Sequence, residues 1–133
     1  MGGQSRGGWN SLQMLGHAGL ADAVVAISPA AHGSGGSTNL TAQYDDLRQL
    51  VNAVPQASTR LVFVQFKADP YAGDLSGRKA LVERLRPRLG RLLVLDQPEG
   101  FSGHFGGSTT LFATRHGACL LRSVTEPTPP SGC

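Results

Sequence analysis

The chain has 133 residues, 40% of them hydrophobic and 16% charged, which describes one soluble globular domain rather than a disordered segment. Its formal charge of +3 arises from 12 Lys and Arg against 9 Asp and Glu, and the arginines concentrate in residues 78–91 without interleaved aromatics. That stretch reads as a solvated helix face and not as a nucleic-acid surface. No window approaches the ~18 apolar residues of a membrane span, and no charged-then-apolar leader opens the chain.

Residues 3–7, Gly-Gln-Ser-Arg-Gly, spell GxSxG. In that motif a serine occupies a sharp turn from strand to helix, and the flanking glycines keep side chains out of the turn. With 18 glycines in the chain the pattern also arises by chance, and serine is favoured at turns and helix N-caps for hydrogen bonding alone. Met1 and Gly2 are too few to supply the preceding strand. Trp9, Leu12, Met14 and Leu15 recur at helical spacing before Gly16 and Gly19, so residues 7–16 read as a short helix.

Residues 21–29 (ADAVVAISP) form a continuous small and β-branched run closed by proline, as in a parallel strand buried on both faces. Residues 31–41 are a Gly/Ser/Thr/Asn loop; its HGSGG stretch superficially resembles a lipase oxyanion motif but follows the serine instead of preceding it. Tyr44, Leu47, Leu50, Val51 and Val54 predict a helix over 42–54, with Asp45 and Asp46 in its opening turn and Pro55 after it. Residues 60–67 (RLVFVQFK) predict a second core strand, followed by the turn-rich ADPYAGD.

Leu81, Val82, Leu85 and Leu89 then make one stripe of an amphipathic helix over 76–89, disturbed at Pro87 and ended by Gly90. Residues 91–96 (RLLVLD) are a third strand, residues 98–107 a Gly-rich loop, and residues 109–124 a final helix. The tail 125–133 (TEPTPPSGC) reads as disordered, so Cys119 in the helix and Cys133 in the tail read as two free thiols. The strand–helix alternation demands a parallel sheet with right-handed crossovers and functional groups at the strands' C-terminal ends.

Three polar residues fall at those ends, in the order Ser5, Asp69, His104. A serine hydroxyl is a poor nucleophile until a histidine accepts its proton, and that histidine needs a carboxylate to fix its tautomer. Asp74, in the same loop as Asp69, is the alternative acid. His17 and His116 sit in or beside helices, where a surface role is common, and His32 follows a different strand. Neither a nucleotide loop nor a zinc pattern is present in the sequence, so no cofactor and no metal are expected.

Taken together, GQSRGG, FKADPYAGD and EGFSGHFGG resemble the elbow, the acid loop and the histidine loop of the α/β-hydrolase superfamily, especially its dienelactone-hydrolase-like and esterase-like members. The resemblance covers residues 2–124 and implies the C-terminal part of that fold: three parallel strands alternating with helices, the N-terminal strands missing, and a disordered Pro-rich tail. It implies a serine hydrolase acting on small carboxylic esters or related acyl substrates, with Ser5 attacking, His104 shuttling the proton and Asp69 orienting His104. The backbone N–H of Arg6 is one oxyanion donor, and the second belongs to a part of the fold that this chain lacks. The resemblance therefore also implies low activity for the isolated chain and dependence on another chain to cover an exposed sheet edge, or else a nonenzymatic remnant serving as an interaction module. The chain as written reads as cytoplasmic, with export open if a leader was lost.

Overall fold

The computed structural model describes residues 1–31 and 39–133; the HGSGG stretch and His32 lie outside the described residues. Four strands form one parallel sheet in the order β1-β2-β3-β4: β1 Gly2–Gln4, β2 Ala23–Ile27, β3 Arg60–Gln65 and β4 Arg91–Asp96. Helices α1 Arg6–Gln13, α2 Leu40–Ala53, α3 Leu75–Glu83 and α4 Thr110–Thr125 alternate with them. The α/β class and the three long strands stand as the sequence predicts.

One strand was not foreseen. Gly2–Gln4 pairs in parallel register with Val25–Ile27, correcting the expectation that so short a lead could not precede the serine. Strand pairing uses backbone groups and needs no side chains. Val25 N–H donates to Met1 O at 2.9 Å, and Ser5 N–H to Ile27 O at 3.0 Å, so the ladder runs up to the serine itself.

The period-2 alternation of β3 divides the core. Leu61 and Phe63 point to one side, with Leu12, Leu47, Val51, Leu81 and Leu85 of the helical layer built from α1, α2 and α3 and the turn after α3. Val62 and Val64 point to the other, with Phe66, Leu93, Phe101, Phe112 and Leu120, under α4. Both faces of β3 are therefore buried, which is why its sequence reads as an unbroken apolar run. Asn39 caps α2 through its side chain, accepting from Ala42 N–H, and places the helix start two residues earlier than the apolar spacing does.

The arginines of residues 78–91 are not simply a solvated face. Arg88 reaches back to the C-terminal turn of α2, donating to Val51 O and Val54 O at 2.7 and 2.8 Å, where carbonyls lack helical partners. Arg86 donates to Leu92 O, and Arg78 is buried. The helix periodicity hid these roles because long side chains lie along apolar surface before presenting a polar head to backbone.

The tail also departs from expectation. Cys119 and Cys133 form a disulfide closing a sequence separation of 14, and among the described residues neither thiol is free. Residues 126–133 have no regular secondary structure, but Arg91 donates to Pro129 O and Pro130 O. Arg60 donates to Val124 O and Glu126 O at 3.0 and 2.8 Å. Composition identified the irregular backbone and missed the side chains reaching it from the starts of β3 and β4. A loop of that length contributes about 3 kcal/mol in the chain-entropy picture. Reduction, or Cys119→Ser with Cys133→Ser, is accordingly expected to lower unfolding free energy by about 2–3 kcal/mol, read by urea denaturation. Thiol titration of the untreated, denatured chain should detect no free cysteine.

Candidate active site

The parallel ladder delivers Ser5 into a conformation that side chains rarely take, φ 56° and ψ −123°. Both backbone groups are held there: Ser5 N–H donates to Ile27 O, and Ser5 O accepts from Trp9 N–H at 2.9 Å and Ala30 N–H at 3.1 Å. A strained residue persists only where its surroundings over-determine it. Although Ser5 occupies the N-cap position of α1, its hydroxyl makes no capping bond. It instead lies 2.7 Å from His104 Nε2.

The glycines around this turn are not equivalent. A methyl at Gly3 would meet the backbone of Gly7 at 2.6 Å, and one at Gly8 would meet Gly3 O and Ile27 O at 2.9 and 3.0 Å. At Gly7 it would meet nothing within 4 Å. The second tight position is therefore Gly8, outside the GxSxG spelling, because α1 packs its first turn against β1 and β2.

His104 is buried, and its Nδ1 lies 3.0 Å from both carboxylate oxygens of Asp69. Asp69 is buried in the loop after β3; its Oδ1 also accepts from Tyr71 N–H at 2.9 Å, and its carbonyl accepts from Ala72 N–H. The two loops are stitched together by the parallel bridge Lys67–Ser102 and by Gly103 N–H donating to Lys67 O at 2.8 Å. Ser5, Asp69 and His104 thus meet at one end of the sheet. Asp74 does not join them: it caps α3, accepting from Gly77 N–H at 2.9 Å. Arg6 opens α1, in a first turn whose N–H groups have no intrahelical acceptor.

Sequence reasoning missed Gln4. Its Nε2 donates to His104 O at 2.8 Å, and its Oε1 accepts from Ser108 Oγ, so the residue before the serine clips the histidine loop to the turn. No periodicity reveals this; a polar side chain immediately before the serine was the available signal. Also unforeseen are Tyr71 and Phe105, whose rings stand 4.5 and 5.2 Å from that of His104, Phe105 remaining largely exposed. His116, placed on a surface by its helix, is instead buried against Phe101 and Phe112.

A groove of about 510 Å³ lies against Trp9, Gln13, His17 and Gln49 and includes none of the three residues. A smaller one of about 330 Å³ adjoins the Asp69 loop at Gly73 and Asp74, opposite Leu40 and Tyr44. Among the described residues no group of three or more His, Cys, Asp or Glu could hold a metal ion, and no helix is long and apolar enough to cross a membrane. Comparisons with protein-family models, with curated proteins and with solved structures return no match. The functional reading therefore rests on residues and geometry.

The contact geometry predicts a graded response to methyl insertion. Gly7→Ala should be neutral or stabilising, by up to about 1 kcal/mol, since alanine is the better helix former. Gly3→Ala should cost about 1–3 kcal/mol through backbone displacement. Thermal denaturation of both variants measures the difference.

Proposed function

We propose that this chain carries the nucleophile, base and acid of a serine hydrolase of the α/β-hydrolase type, acting on carboxylic esters or related acyl substrates. The observation that carries the reading is the Ser5 hydroxyl 2.7 Å from His104 Nε2 when a cap on its own helix was the ordinary alternative.

In this reading, Ser5 Oγ attacks the acyl carbonyl carbon while its proton passes to His104 Nε2. Asp69 accepts the Nδ1 hydrogen bond and stabilises the imidazolium that forms. The carbonyl oxygen becomes an anion directed at the N–H of Arg6, beside the positive end of α1. Collapse expels the alcohol, which takes its proton from His104; water then repeats the sequence on the acyl-serine. Each aligned oxyanion donor is worth roughly 10²–10³-fold in turnover, whereas phosphonylation reads the nucleophile itself. Reactivity of Ser5 is thus a more direct test than ester turnover. Tyr71 and Phe105 favour a substrate with an apolar group beside the scissile bond. The Cys119–Cys133 bridge favours an oxidising compartment over the cytoplasm.

A fluorophosphonate probe should label Ser5, identified by peptide mass spectrometry. Labelling should vanish in Ser5→Ala and His104→Ala and slow by roughly 10³–10⁴-fold in Asp69→Asn, where the wrong imidazole tautomer is favoured. Asp74→Asn, which keeps an N-cap acceptor, should label at the normal rate. Undiminished labelling in Asp69→Asn, or none in the unsubstituted folded chain, would refute the reading.

A further inference from the structure

Gln4 is the last residue of β1 and immediately precedes Ser5. Its register partner is Ile27 of β2, whose side chain packs into the cluster under α4. Residues paired across neighbouring strands share a face, so Gln4 extends on the side where α4 and the histidine loop lie. Half-buried there, its amide engages one loop with both ends: Nε2 donates to His104 O at 2.8 Å, and Oε1 accepts from Ser108 Oγ. A carbonyl can only accept, so the amino end must face His104 O, and the amide oxygen is left to the Ser108 hydroxyl.

The other attachments of this loop lead elsewhere. Gly103 N–H donates to Lys67 O at 2.8 Å, and the imidazole meets Asp69 through Nδ1 at 3.0 Å; Lys67 and Asp69 both follow β3. Further along, a methyl at Gly106 would stand 3.0 Å from the Phe66 ring, and one at Gly107 would stand 2.4 Å from Ile27 Cγ2. The backbone therefore lies directly on side chains at the ends of β2 and β3. The nucleophile belongs to β1, and Gln4 refers the base to that strand, one residue from Ser5. The 2.7 Å contact between Ser5 Oγ and His104 Nε2 cannot do this holding through a reaction, because the proton crosses it and the oxygen moves to bond carbon. The Gln4 amide persists throughout.

Building on the hydrolase reading, we propose that Gln4 is a positioning residue: its amide fixes the main chain of His104 to the nucleophile's own strand, so that Nε2 stays within reach of Ser5 Oγ while the proton transfers. Asp69 orients the ring, and Gln4 sets where the ring stands. The amide touches no reacting atom. Its effect comes through distance, and a misplacement of about 1 Å costs on the order of 10²-fold in rate. Ser108 acts on the site only through Gln4, by holding the amide oxygen. Loss of the amide should therefore slow the reaction of bound probe without weakening its binding, and loss of the Ser108 hydroxyl should matter only while Gln4 is present.

The experiment compares the full chain with Gln4→Met, which keeps the length and removes both hydrogen bonds, and with Gln4→Glu, which keeps an acceptor for Ser108 and removes the donor to His104 O. The rate of Ser5 phosphonylation by the fluorophosphonate is followed against probe concentration. The maximal rate constant is expected to fall by roughly 10–100-fold in both variants, with the half-saturating concentration unchanged. Ser108→Ala should give a smaller fall in the parent chain and none when added to Gln4→Met. Independently of any activity, crystal structures should show Ser5 Oγ and His104 Nε2 in hydrogen-bond contact in the unsubstituted chain and separated in Gln4→Met. If Ser5 is not labelled but the separation responds as stated, the hydrolase reading fails while the role of Gln4 toward His104 stands. An unmoved rate and separation in a folded variant overturn the role, as does a loss confined to the half-saturating concentration. Failure of both Gln4 variants to fold also overturns it, since the amide would then serve the fold and not the site.

Discussion

The hydrogen bond from Ser5 N–H to Ile27 O is the constraint on which the rest of the site depends. It ends the short β1 ladder and holds the serine backbone to β2 just where the chain must turn into α1. With its N–H committed to one strand and its carbonyl to Trp9 and Ala30, Ser5 has no freedom to relax from positive φ. The hydroxyl is consequently aimed outward from the turn, toward the loop after β4. Close packing at Gly3, against the backbone of Gly7, and at Gly8, against Gly3 O and Ile27 O, is the steric counterpart of the same bond.

Sheet order explains how residues so distant in sequence reach one another. In a parallel sheet every strand finishes at the same end, so the loops following β3 and β4 lie beside each other above their strands. The Lys67–Ser102 bridge extends that adjacency past the regular ladder and carries Asp69 and His104 outward together. Gln4 then ties the histidine loop back to the first strand across the sheet. The geometry belongs to the sheet as much as to the loops.

The three long strands and the helices were legible because β3 and its neighbours are uniformly apolar and the helices carry stripes. Ser5, Asp69 and His104 were legible as an ordered set at strand ends. Asp69 and Asp74 share one loop in the sequence; in space Asp69 lies against His104, whereas Asp74 opens α3 and is engaged by Gly77 N–H. β1 was illegible because three backbone pairings leave no side-chain pattern in Gly2–Gln4. The arginine roles were illegible because their acceptors are carbonyls, such as Val51 O and Pro29 O, which every residue possesses. The disulfide was missed because a Pro-rich composition says how a tail is built, not whether arginines at strand starts draw it in.

Four non-glycine residues have positive φ among those described: Ser5, Ser28, Ala68 and Gln97. Each follows a different strand, directly for β1, β2 and β4 and three residues beyond β3. The opposite end of the sheet is tied by Arg60, Arg91 and the Cys119–Cys133 bridge. The molecule is therefore mechanically polarised, clamped at one pole and held under tension at the other. A glycine at Ala68 or Gln97 would ease that tension and help the fold, yet it would slacken the loops that carry Asp69 and His104. At this rim, gains in stability and precision of aim pull in opposite directions.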